Sequence, residues 1–123
     1  MKLLVTGASG FIGRNLLLRL PKDWQVVATY FSDGSFLDFI EEQDLNCVTP
    51  LRIDLSDGGS LTQVTDFFRS YDACVYLAAN GDPAFSEKAP VEDLKSNTRA
   101  LLNTVQSWTF GNFLYFSSGA VYD

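Results

Sequence analysis

Histidine is absent from the 123 residues. With it go the usual general base and any Ser-His-Asp triad. Only two cysteines occur, Cys47 and Cys74, far apart and outside any C-x-x-C pattern. With no imidazole to join them, neither a thiol redox motif nor a zinc site is expected, and no metal site is assigned. Both read as buried free thiols, which suits a reducing compartment. Long apolar runs are missing too. Leu3–Val5 gives way at once to Thr6 and Gly7, far short of the roughly 20 residues of a membrane span, so neither a signal peptide nor a membrane partner is expected. A cytoplasmic chain follows. Basic runs are equally scarce: nine Lys and Arg stand against fifteen Asp and Glu, a net charge of −6. Nucleic acid, held mainly by Lys and Arg clusters, is not an expected partner.

What is present describes a globular domain. Apolar residues make up 46% and charged residues 20%, which is enough to build a core and argues against disorder. Ten Phe, five Tyr and two Trp imply an aromatic interior or some apolar surface. There is no internal repeat and no low-complexity segment.

Short apolar runs alternate with amphipathic stretches, the pattern of βαβ units around a parallel sheet. Lys2–Thr6 reads as a buried strand ended by glycine, and Phe11–Leu20 as a helix stopped by Pro21. Gln25–Tyr30 is a second strand, and Asp33–Asp44 a helix with Phe36, Leu37 and Ile40 on one face. Cys47–Ile53 is a third strand, whose paired part is expected to begin after Pro50. Ser60-Leu-Thr-Gln63 matches a capping box, and Leu61, Val64, Phe68 and Tyr71 follow as a helical stripe. Ala73–Leu77, apolar throughout, is a fourth strand inside the sheet. The polar segment from Asn80 to Lys88 is a loop. Pro90–Trp108 is the longest helix, with Val91, Leu94, Thr98, Leu101, Val105 and Trp108 in register and Pro90 in its first turn. Asn112–Ser117 is the fifth strand. Right-handed crossovers then give an α/β, doubly wound parallel sheet in the order 3-2-1-4-5, with a ligand site where the order reverses, between the first and fourth strands.

Gly7-Ala-Ser-Gly10-Phe-Ile-Gly13 lies directly between the first strand and the first helix. In that setting Gly7 permits a tight turn, Gly10 leaves backbone bare for a pyrophosphate, and Gly13 lets the helix approach the sheet. The helix start adds free N–H groups and a positive dipole end. Gly7, Ser9, Gly10, Phe11, Ile12 and Gly13 are therefore candidate cofactor-binding residues.

The segment Thr6-Gly-Ala-Ser-Gly-Phe-Ile-Gly13 resembles the fingerprint of the extended short-chain dehydrogenase/reductases, the NAD-dependent epimerase/dehydratase family, and four further segments agree in the family's order. Asp54-Leu55 is similar to the pair whose acid contacts the adenine amino group. Tyr76-Leu77-Ala78-Ala79 resembles the strand-four motif that lines the cofactor. Asn97 matches the helix-four asparagine that supports the active-site backbone, and Phe116-Ser-Ser-Gly-Ala-Val-Tyr122 resembles the strand-five motif that carries a catalytic hydroxyl, here Ser118. The resemblance covers essentially the whole chain. It implies a Rossmann-like fold over residues 1–123 and NAD or NADP as cofactor. It also implies a nucleotide-sugar substrate for the full-length protein and a homodimer, whose interface the long helix forms together with the helix that follows it.

The residues alone leave blander alternatives open. Asp54 could cap a turn, Asn97 could be an ordinary helix residue, and Ser117 and Ser118 could be strand-end hydroxyls. Tyr122 is taken as structural.

Three departures from the family pattern shape the functional expectation. No Tyr in the chain has a Lys four positions later, whereas the family places Tyr-x-x-x-Lys on the next helix as its proton-transfer pair. The chain is thus expected to be an N-terminal fragment, inactive as it stands, with its fifth strand a poorly covered edge prone to self-association. The position that normally carries an acid at the end of strand two is Tyr30, with Asp33 slightly later. NADP is then not excluded, Arg14 could approach a 2′-phosphate, and the choice of cofactor stays open. Ser118-Gly119-Ala120 stands where the family's dehydratases resemble Thr-Asp-Glu, which disfavours dehydration and leaves an epimerase or a reductase. A non-catalytic dinucleotide-binding or regulatory module is the alternative.

Overall fold

The computed structural model describes residues 1–77 and 90–116. Its strands are β1 (Lys2–Thr6), β2 (Gln25–Tyr30), β3 (Val48–Arg52), β4 (Ser70–Tyr76) and β5 (Thr109–Tyr115). The helices are α1 (Phe11–Arg19), α2 (Ser35–Glu42), α3 (Gly58–Thr62) and α4 (Pro90–Ser107), with a 3₁₀ turn at Asp66–Phe68. The strands form one sheet in the order β3-β2-β1-β4-β5, as the sequence pattern implies. Every pairing is parallel, from Val26↔Val48 through Leu4↔Val27 and Leu4↔Cys74 to Tyr76↔Tyr115.

Because side chains alternate along a strand, the continuous apolar runs feed two cores at once. Leu3, Val5, Val26, Ala28 and Val48 face one way and pack with Leu17 of α1 and Phe36 of α2. Leu4, Val27 and Cys74 face the other way and pack with Leu61 of α3 and with Ala100 and Trp108 at α4. Burial on both faces is what makes β1 and β2 apolar without interruption.

Several expectations need correction. Along α4, Val91, Thr98 and Val105 of the expected stripe are exposed, and Ala100 and Thr104 are buried instead. The stripe from Leu61 to Tyr71 is not one helix. Asp57, not Ser60, is the N-cap of α3 and accepts from the Gly59 N–H at 3.1 Å. The helix stops at Thr62, and Tyr71 belongs to β4. Spacings of three and four also arise when a short helix, a turn and a strand face one core, and all four stripe residues do contact that core. Pro50, in turn, does not delay pairing, since it lies opposite Ala28 inside the β2–β3 ladder. The Ile53 N–H donates to Tyr30, and with a period of two the Pro50 position faces the open edge. An outer strand can lack an N–H there at no cost.

At the other margin, β5 pairs with β4, and among the described residues nothing pairs its far side. Phe113, Leu114, Tyr115 and Phe116 are exposed. Both cysteines are free thiols, but only Cys74 is buried, whereas Cys47 is partly exposed. No helix among the described residues is long and apolar enough to cross a membrane, and none of them forms a group of His, Cys, Asp and Glu able to hold a metal ion.

Candidate functional site

At the C-terminal end of β1 the chain must leave the sheet and enter α1 within a few residues. Gly7 takes φ +62°, a left-handed conformation that side chains resist. Its N–H donates to Thr29 Oγ1 at 3.2 Å, and the Ala8 N–H donates to the Thr29 carbonyl at 2.9 Å. The loop is thereby tied to the end of β2. Gly13 sits against that same loop, where an added Cβ would lie 2.6 Å from both the Cα and the carbonyl oxygen of Ala8. Around Gly10 there is room: an added Cβ would meet only the Gly7 carbonyl oxygen, at 3.7 Å.

Gly10 is also the N-cap of α1 and supplies no side chain to its first N–H groups. Those groups, at a helix's positive end, are left for a ligand or water. Phe11 and Ile12 beside them are 84% and 59% exposed, so a bare backbone ledge is flanked by apolar surface. The Ser9 carbonyl is engaged, accepting from Arg14 Nε at 2.7 Å.

Around this ledge the parallel strands deliver the other candidates. Tyr30 ends β2 partly buried, its ring 5.2 Å from that of Phe36. Just beyond, Asp33 Oδ1 accepts from the backbone N–H and the hydroxyl of Ser35, at 3.0 and 2.5 Å. Asp33 Oδ2 accepts from Arg14 Nη2 at 2.9 Å. The Ser35 bonds, with help from Arg14, hold the Asp33 carboxyl below its usual range. Arg14 also donates to Ser35 Oγ at 3.0 Å and lies over the Phe39 ring, 5.0 Å from its centre.

The exit of β3 repeats the Asp-x-Ser turn. Asp54 Oδ1 accepts from the N–H and hydroxyl of Ser56, at 3.0 and 2.6 Å. Asp54 thus makes the turn contact its residue type suggests, while no described residue bonds its Oδ2. Leu55 is buried in the core, and its carbonyl accepts from Asn103 Nδ2 at 3.0 Å. On β1's other flank, the Leu77 N–H is shared between the Thr6 hydroxyl, at 3.0 Å, and the Thr6 carbonyl, at 3.2 Å. Tyr76, from the same motif, turns inward, and burial pushes its hydroxyl pKa up to about 12. Asn97 is partly exposed on α4. Ala78, Ala79 and Ser118 lie outside the described residues.

Gly7, Ser9, Gly10, Phe11, Ile12, Gly13, Tyr30 and Leu77 therefore gather where the strand order reverses, with Asp54 at the end of β3. Sequence reading alone did not single out Thr29 and Thr6, whose hydroxyls tie the loop and β4 into place. Threonine in an apolar strand carries no signal that separates such a tie from ordinary β propensity.

A model of the NAD-dependent epimerase/dehydratase family matches residues 3–123. The chain belongs to that family. Among proteins similar to this family member, a UDP-glucose 4-epimerase from Caenorhabditis elegans is 28% identical over 137 residues, covering 99% of this chain and 39% of the relative. A UDP-glucose 4-epimerase from Thermotoga maritima, solved with UDP-glucose, superposes with a TM-score of 0.78 at 21% identity, covering 97% of this chain and 38% of the other. The Stenotrophomonas maltophila UDP-glucose 4-epimerase, solved with NAD and formylated UDP-arabinopyranose, gives 0.77 at 21% identity, with 99% and 38% covered. At such identities the superpositions establish the fold alone, a Rossmann-like parallel sheet shared with these epimerases. The chain spans about two fifths of the length of these relatives.

Proposed function

We propose that this chain is the dinucleotide-binding part of an NAD(P)-dependent nucleotide-sugar epimerase or reductase. One observation carries the reading: the ledge at Gly10 is open, uncapped and set at the start of α1, where a diphosphate meets main-chain N–H groups and the helix dipole. The NAD and nucleotide sugars bound by similar proteins support it.

In this reading Gly7, Ser9, Gly10 and Gly13 shape the diphosphate seat, and Phe11 and Ile12 flank it. Asp54 presents its outer oxygen to the adenine, with Leu55 behind it. Tyr30 borders the adenosine end, Leu77, Ala78 and Ala79 line the cofactor, and Asn97 supports the backbone near Ser118. Ser118 holds the sugar hydroxyl. Bound nicotinamide would supply hydride chemistry at a sugar carbon. Ser118-Gly119-Ala120 offers no acidic pair for elimination, which favours epimerisation or reduction over dehydration. The free thiols fit the cytoplasm, and the net charge of −6 disfavours a nucleic-acid partner. A homodimer through α4 completes the proposal.

Titration of the chain with NAD, NADH, NADP and NADPH tests the reading. Binding of at least one, weakened about tenfold or more by Gly10→Ala with the fold intact, is the expected result, since a methyl there displaces phosphate from the amides. Absence of binding to all four at millimolar concentration would end it.

A further inference from the structure

The end of β2 lacks the acid that usually accepts hydrogen bonds from the adenosine ribose of NAD. Tyr30 stands there, packed on Phe36. Three residues on, Asp33 reaches back to Arg14, whose guanidinium bridges the glycine loop, through the Ser9 carbonyl, and the β2–α2 turn. The side chains are 26% and 43% exposed, so the pair is open to a ligand lying along the loop.

We propose that Asp33 is the specificity-determining residue that makes this site prefer NAD over NADP. This rests on the dinucleotide reading above. An unpaired arginine beside the glycine loop attracts a 2′-phosphate. Asp33 cancels that charge at 2.9 Å and sets a carboxylate where the extra phosphate would come. A second ligand, Ser35 Oγ at 3.0 Å, and the rings of Phe36 and Phe39 hold the guanidinium against swinging free. The sign of the local field is thereby decided by a residue outside the usual position.

Asp33→Asn is the informative change. An asparagine oxygen still accepts the Ser35 N–H and keeps the turn, while its amide no longer balances Arg14. Equilibrium titration of the full chain with NAD and NADP should show NAD bound more tightly by the unaltered protein. In Asp33→Asn, NADP should tighten by about tenfold or more against NAD, the scale of one charge–charge interaction near a protein surface. Adding Arg14→Gln should abolish that gain. Arg14→Gln alone, which leaves the Asp33 carboxylate in place, should keep NADP the weaker ligand even if Asp33→Asn folds poorly. The proposal is overturned if the unaltered protein prefers NADP, if folded Asp33→Asn leaves the ratio unchanged, or if Arg14→Gln alone tightens NADP. Failure to bind either cofactor would instead remove the dinucleotide reading itself, and this proposal with it.

Discussion

Replacing Gly13 with alanine brings a new Cβ to 2.6 Å from the Cα and the carbonyl oxygen of Ala8 and 2.7 Å from its carbonyl carbon. Carbon atoms pack best at about 3.5–4.0 Å, so α1 and the loop would have to part by roughly 1 Å. Neither yields easily. Ala8 is wholly buried and hydrogen-bonded to Thr29 at 2.9 Å, and α1 is anchored by Leu17, which is 2% exposed. Overpacking against fixed backbone belongs at the upper end of the usual range, about 3 kcal/mol. For a domain of this size that corresponds to a fall in Tm of about 10 °C or more. Gly10→Ala is the matched control. Its Cβ meets nothing nearer than 3.7 Å, and its φ of −76° and ψ of 176° suit any residue, so only the N-cap preference for glycine over alanine is lost, about 1 kcal/mol or less. Thermal and denaturant unfolding of both variants, followed by far-UV circular dichroism, measures the contrast. Equal melting of Gly13→Ala and the unaltered chain would refute the close-approach argument.

Other outcomes follow from the same packing. Trp108 donates its indole N–H to the buried Leu61 carbonyl at 3.1 Å. Trp108→Phe strands that acceptor and should cost about 2 kcal/mol in urea unfolding; a loss below about 0.5 kcal/mol would show that the bond contributes little. Burial pushes the Cys74 thiol up to about 12, so at pH 8 it is protonated as well as enclosed. Alkylation with iodoacetamide, read by mass spectrometry, should mark Cys47 first and reach Cys74 only on unfolding; equal labelling of the two in the folded chain would contradict its burial.

The strand order and the glycine loop were legible in the sequence for a shared reason. Buried parallel strands must be apolar on both faces, as Leu3–Val5 and Val26–Ala28 are, and a tight turn with positive φ, as at Gly7, favours glycine. Those demands are local, so they leave a local mark. The segment from Leu61 to Tyr71 was misread because periodicity records which residues face the core and not how the chain travels between them. Pro50 was misjudged because its tolerance depends on β3 being outermost, a tertiary fact. The pairing of Arg14 with Asp33 was hidden for the same reason, since nothing in the intervening residues announces that a helix start and a strand exit come within 2.9 Å.

The chain's two tryptophans are divided between the layers. Trp24 packs at the margin of the core under α1 and α2, and Trp108 lies within the one under α3 and α4. Each is a native optical probe of its own side of the shared wall. Because Leu4 lines one core while its neighbours Leu3 and Val5 line the other, neither layer can loosen without dragging the wall along. Fluorescence from single-tryptophan variants should therefore report one common midpoint for both sides.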